Sequence, residues 1–160
     1  MNLIIFSKPI HSGKTSELFR FCKQNNPVSG ILMPEMNGTK LFYDIANKSF
    51  FNAEIDQLIY TENDIENIGK YNFSKASFAK ANNIILNVNN KINNILIIDE
   101  VGKLELQKKG FHPALIFLLT STNKINLLIV VRDVLIKEVT DFYQISHYKI
   151  ISDLDELILP

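Results

Sequence analysis

The sequence predicts an α/β fold: a mostly parallel sheet with flanking helices and an inserted β-hairpin region, in a single domain over residues 1–160. Three observations predict it. The runs "NLIIF", "NILIIDE" and "INLLIVV" are continuously apolar rather than alternating, the pattern of strands buried on both faces. Segments with helical spacing separate them, and strands that alternate with helices favour parallel pairing through crossovers. Between the first two runs lies "GILMPEMNGTKLFYDI", in which Asn37-Gly38 is a favoured pair for a two-residue hairpin turn.

The elements follow in order. Residues 2–6 read as the first strand. A helix is expected from 13 to about 23, with Leu18, Phe21 and Cys22 on one face. Residues 31–33 and 41–43 flank the hairpin turn, and "ANKSFF" and "DQLIYT" read as further short strands of the same excursion. Ser74 is placed to cap a helix from 75 to about 90, along which Phe78, Ala81, Ile85 and Val88 recur at helical spacing. After "NILIIDE" comes a helix broken at Gly110 and restarted at Pro113, a residue suited to a first helical turn. "INLLIVV" is the next strand, Asp133 caps a helix carrying Leu135, Val139 and Phe142, and "YKIIS" is the last strand.

Bulk properties narrow the function classes. Hydrophobic residues make up 46% of the chain, enough to build a core, and formal net charge is zero, which argues against a broad nucleic-acid-binding surface. The single cysteine, Cys22, excludes an internal disulfide and a cysteine-rich zinc site. Beside Leu18, Phe19 and Phe21 it reads as a core thiol. No apolar run is long enough for a bilayer span or for a secretory leader, so no membrane partner and a cytoplasmic location are expected. His112 and His147 have no metal-ligand spacing and read as structural or solvated.

In open parallel sheets, ligands bind at the C-terminal edge of the strands. Three polar features fall there: the loop "SKPIHSGKTSEL" after the first strand, Asp99-Glu100 after "LII", and Arg132 after "IVV". Gly13, Lys14 and Thr15 end a phosphate-binding loop pattern that follows a buried strand and opens a helix. Backbone N–H groups of such a loop form an anion site with the helix N-terminus. Lys14 reaches phosphate there, and the Thr15 hydroxyl and Asp99 are the candidate Mg²⁺ ligands. Glu100 is the candidate base for an attacking water. Arg132 is read either as a cation for transition-state charge or as an ion-pair partner. With Lys14 and Glu100 it completes the candidate catalytic set. His11 lies inside the loop and is a further candidate phosphate contact.

These residues resemble a known family, the small P-loop nucleoside-triphosphatases first described from thermophiles, also called cancer-related nucleoside-triphosphatases. "SGKTSEL" resembles its loop, "GILMPEMNGTKLFYDI" its glycine-led strand, Thr/Pro-Glu pair and hairpin, "IGKYNFSKASF" its V-G-K-Y segment, and "IIDEVGKLEL" its D-E-I-G-K-M-E-L run. The resemblance implies a P-loop NTPase fold and slow, Mg²⁺-dependent hydrolysis of nucleoside triphosphates with broad base tolerance. It implies that Lys14 and Thr15 bind phosphate and metal, that Asp99 supports Mg²⁺ and that Glu100 is the catalytic carboxylate. Lys8, His11, Ser12, Gly13 and Ser16 complete the nucleotide-binding loop. Glu35 and Lys70 match the acid of the Pro-Glu pair and the G-K-Y lysine. The sequence departs from the family where Lys8 and His11 replace two loop glycines, where Asn37 replaces an arginine, and where a C-terminal Asn-Arg pair is missing from "ISDLDELILP". Two other readings stand beside hydrolysis: a nucleotide-binding switch with little turnover, and a thymidine-kinase-like nucleoside kinase.

Overall fold

Strands that are apolar on both sides must be covered on both sides, and the chain is arranged to that end. The computed structural model describes residues 1–9, 12–25, 27–55, 61–88, 94–122 and 125–157. In order these form β1 (Asn2–Phe6), α1 (Lys14–Gln24), β2 (Val28–Leu32), β3 (Glu35–Met36), β4 (Thr39–Asp44), β5 (Ser49–Asn52), β6 (Ile65–Ile68), β7 (Tyr71–Ser74), α2 (Lys75–Leu86), β8 (Ile95–Val101), α3 (Lys103–Leu106), α4 (His112–Thr120), β9 (Asn126–Val131), α5 (Ile136–Phe142) and β10 (Lys149–Ile151).

Among the described residues the main sheet has eight strands in the order β10-β1-β9-β8-β2-β4-β3, with β5 also on β4. The first five run parallel, and β4 turns the edge antiparallel, Leu32 opposite Tyr43. The expected α/β class, mostly parallel with flanking helices and an inserted hairpin region, is the one observed. Side-chain alternation along each strand divides the core in two. Ile4, Phe6, Leu32, Ile97 and Val130 meet Leu18 of α1 on one face. On the other, Leu3, Ile5, Ile98, Leu127 and Ile129 meet Phe78 and Ile85 of α2, Leu115 and Leu118 of α4, and Val139 of α5.

The turn between β3 and β4 forms as the Asn-Gly pair predicts, with Asn37 at φ 52° and Gly38 at φ 79°. Ser74 caps α2 through its hydroxyl, which accepts from the Ser77 N–H at 3.1 Å. Other boundaries differ from the sequence reading. α2 ends at Leu86 rather than near 90, and its capping asparagine is Asn87. Asp133 opens a single 3-10 turn and α5 begins after it at Ile136, because the Asp133 carboxylate bonds the next N–H, that of Val134. The expected strand "DQLIYT" lies mostly outside the described residues, and its Thr61 instead starts a short turn closed by Asp64. The antiparallel pair β6–β7 is an addition that the sequence reading lacks.

Gly30 fixes how closely β2 approaches β8. Its φ is +114°, and a Cβ built on it would lie 2.0 Å from the Ile97 carbonyl oxygen. Gly30→Ala therefore forces both a left-handed backbone and an overlap with main chain, and a destabilisation of about 3 kcal/mol is expected. Chemical denaturation reads this as a lower midpoint; an unchanged midpoint contradicts it.

Candidate active site

The loop after β1 delivers α1 to the C-terminal edge of the sheet. Gly13 sits at its start with φ +81°, a conformation that side chains resist, and Lys14 and Thr15 form the first helical turn. The Lys14 ammonium reaches back across the loop and donates to the carbonyls of Lys8 and Pro9, each at 3.0 Å. The Thr15 hydroxyl donates to Asp99 Oδ2 at 3.1 Å, and the same oxygen accepts the Met33 N–H at 3.1 Å. Asp99 is 1% exposed. Burial first, and the neighbouring Glu100 charge second, push its carboxyl up to about 6, while the Met33 N–H, Lys40 and Thr15 oppose the rise.

Glu100 is turned into the site by an irregularity in β8. The register runs from Ile98 opposite Ile129 to Val101 opposite Val131, so β8 holds one more residue than β9 across that step. Such a bulge re-aims a side chain. Glu100 also has φ +63°, a conformation that costs a non-glycine residue about 1–2 kcal/mol. Its carboxylate is held from two sides: Lys40 Nζ donates to Oε1 at 3.3 Å, and Arg132 Nη2 lies 3.6 Å from Oε2. Both sequence readings of Arg132 thus meet in one place, since it pairs with Glu100 and also faces the groove.

That groove has a volume of about 370 Å³ and is lined by Ser12, Gly13, Lys14, Thr15 and Ser16 on one side and by Glu35, Lys40, Tyr71, Glu100 and Arg132 on the other. Glu35 accepts from the Tyr71 hydroxyl at 3.2 Å, which ties the hairpin to β7. Two candidate binding residues do not face it. The Lys8 side chain is held by Glu17, and it lines a separate surface cavity with Arg20 and Asp153. Its backbone carbonyl, rather than its ammonium, belongs to the site. Lys70 is exposed with its ammonium 5.0 Å from the Tyr71 ring centroid, so Tyr71 is the residue of that segment that reaches the groove. His11 lies outside the described residues. Lys40 and Tyr71 were not singled out in the sequence. For Lys40, the Asn37-Gly38 turn is the available signal, because it pairs Lys40 directly with Glu35.

The turn after Glu100 rests on Glu105. This carboxylate is 1% exposed and accepts the N–H groups of Gly102 at 2.7 Å and Phe111 at 2.9 Å. Burial outweighs those two donors and pushes its carboxyl from 4.5 up to about 7. An acid whose folded pKa is raised keeps a proton that the unfolded chain has released, so stability is lost as pH rises between those values. Denaturant unfolding across that range is expected to show stability falling with pH. Glu105→Gln is expected to have a flatter profile, even if its overall stability is lower. A wild-type stability that rises through this range contradicts the assignment.

Cys22 is partly buried among the α1-side core residues, and burial, with Asp99 adding, pushes its thiol up to about 12, the behaviour of a packing thiol. Among the described residues, no helix is long and apolar enough to cross a membrane.

A parallel sheet with a lysine-threonine loop at one strand end and an Asp-Glu pair at another defines the P-loop NTPase class. The family model described as NTPase matches residues 4–156, and the chain belongs to that family. Two solved structures share the fold. One is the solution structure of a human cancer-related nucleoside triphosphatase, with TM-score 0.68, 18% identity and coverage of 95% of this chain and 88% of that one. The other is the crystal structure of THEP1 from the hyperthermophile Aquifex aeolicus, with TM-score 0.72, 19% identity and coverage of 99% and 95%. No curated protein matches the chain in sequence.

Proposed function

We propose that the protein hydrolyses nucleoside 5′-triphosphates to diphosphate and phosphate with Mg²⁺. The observation that carries this reading is the convergence of two chain segments on one groove: Thr15 bonds Asp99, and Glu100, the next residue, faces the same space as Lys14. In this reading the N–H groups of residues 12–16 and the Lys14 ammonium hold the β and γ phosphates. Lys14 exchanges its bonds to the Lys8 and Pro9 carbonyls for phosphate oxygens. Glu100 accepts a proton from the attacking water, oriented by Lys40 and Arg132. Arg132, 46% exposed beside its Glu100 partner, lines the groove where negative charge develops on the γ phosphate.

The donor set fits magnesium. A hydroxyl and a carboxylate are hard oxygen ligands, and Mg²⁺ commonly takes one or two of these together with phosphates and waters. Thr15 and Asp99 would hold it, and a cation there reverses the rise that burial imposes on the Asp99 carboxyl. Bound there, it would neutralise charge on the phosphates.

The test is release of inorganic phosphate from ATP, GTP, CTP and UTP. Turnover with Mg²⁺ that disappears on chelation with EDTA is expected. Binding of triphosphate with no phosphate release from any of them overturns hydrolysis in favour of a nucleotide-binding switch.

A further inference from the structure

Backbone hydrogen bonds fix Lys40 on the inserted hairpin. Its N–H donates to Glu54 Oε1 at 2.6 Å, and its carbonyl accepts the Ala53 and Glu54 N–H groups, each at 3.3 Å. The Asn37-Gly38 turn sets it opposite Glu35, and β2 holds the far end of the same strand. The side chain runs inward from this mount and is 13% exposed. Lys40 lines the phosphate-loop groove and also a second cavity of about 420 Å³, which shares Tyr71, Glu100 and Arg132 with the groove but is lined by none of residues 12–16.

A lysine ammonium carries three N–H donors. Glu100 Oε1 takes one of them at 3.3 Å, and the Tyr71 ring centroid lies 5.9 Å from the nitrogen. Two donors are left without an acceptor among the described residues. Arg132, the other cation on Glu100, is 46% exposed and 3.6 Å away. Water screens a charge less as it is withdrawn from solvent, so Lys40 acts more strongly on a charge beside it than Arg132 does.

Phosphoryl transfer runs in line, so the attacking water enters opposite the leaving diphosphate. With the diphosphate in the loop, that water enters on the Glu100 side, where the groove meets the second cavity. We propose that Lys40 is a further catalytic residue: its ammonium bridges the Glu100 carboxylate and an oxygen of the γ phosphate, and so tells a triphosphate from a diphosphate. The inference rests on the phosphate-loop reading above. Two hydrogen bonds of about 3 Å from one nitrogen keep the carboxylate and phosphate oxygens within about 6 Å of each other, room for one water between them. In the step, the water oxygen attacks the γ phosphorus and a new O–P bond forms. The bond from that phosphorus to the β–γ bridging oxygen breaks, and its electron pair leaves with the diphosphate. The water proton passes to Glu100, and Lys40 meets the charge that builds on the phosphoryl oxygens.

The experiment separates this role from that of a mere partner for Glu100. Lys40→Met is made in the wild type and in Glu100→Gln, with the fold checked by thermal unfolding. Titration calorimetry with Mg²⁺ then measures ADP and the non-hydrolysable triphosphate AMP-PNP. In the Glu100→Gln background, Lys40→Met is expected to weaken AMP-PNP about 10- to 100-fold, the effect of losing a hydrogen bond to a charged group, and to leave ADP unchanged. In the wild-type background it is expected to lower single-turnover phosphate release about 10²–10³-fold, and Lys40→Arg to recover most of that loss. Unchanged AMP-PNP affinity in the double variant overturns the γ-phosphate contact and leaves Lys40 serving Glu100 alone. Equal losses for ADP and AMP-PNP also overturn it, while the hydrolase stands in both cases. A wild type that binds neither nucleotide, or releases no phosphate, overturns the reading beneath, and the catalytic role of Lys40 falls with it.

Discussion

Replacing Glu100 by glutamine is expected to leave triphosphate binding intact and to lower turnover about 10²–10⁴-fold, the usual effect of losing a positioned general base. The substitution keeps the shape of the side chain but removes its capacity to take a proton. It also removes the negative charge that Lys40 and Arg132 now neutralise, at 3.3 and 3.6 Å. Those two cations become available to the γ phosphate, so Mg²⁺-triphosphate is expected to bind at least as tightly as to the wild type. The φ of +63° at this position is strained for either side chain, so folding stability is expected to change little. Single-turnover phosphate release with parallel titration calorimetry measures both quantities. A variant that turns over like the wild type removes Glu100 from the mechanism. Glu35, across the same groove, then becomes the first candidate base.

Lys14→Ala is expected to abolish useful affinity while the fold survives. The ammonium makes its hydrogen bonds to the Lys8 and Pro9 carbonyls of the surface loop and packs in neither core. Its loss therefore spares the sheet. Removing a charged partner that a bound anion needs costs about 2–5 kcal/mol, roughly 30- to 4,000-fold in affinity. Titration with a non-hydrolysable triphosphate and Mg²⁺ reads the loss, and circular dichroism checks the fold. Unchanged affinity in a folded variant sinks the phosphate-loop assignment.

What the sequence made legible follows from what is local. Continuous apolar runs specify β1, β8 and β9, because only strands covered on both faces carry them, and polar residues at their ends then fall on one sheet edge by topology alone. Lys14, Thr15, Asp99, Glu100 and Arg132 were legible for that reason. Lys40 and Tyr71 were not, because each enters the groove from a strand whose path depends on distant partners: β4 is positioned by β2, and β7 by β6. The pair β6–β7 is short and carries polar residues in its middle, Glu66, Asn67 and Asn72, so no apolar run announces it. The opposite error has the same origin. Lys8 and Lys70 stand at suggestive sequence positions, but Glu17 draws one ammonium away from the groove and the other lies exposed over the Tyr71 ring. The burial of Glu105 is set by Phe111 and the start of α4.

In the proposed mechanism one groove joins the phosphate loop to the Asp99-Glu100 pair around a triphosphate. A crystal structure of the Glu100→Gln variant grown with ATP and Mg²⁺ tests it most directly. The γ phosphate is expected within hydrogen-bond distance of the Lys14 ammonium, the metal against the Thr15 hydroxyl, and residue 100 on the side of the γ phosphorus away from the loop. Triphosphate density elsewhere on the protein, or phosphates in the loop with residue 100 turned out of reach of the γ phosphorus, would contradict it.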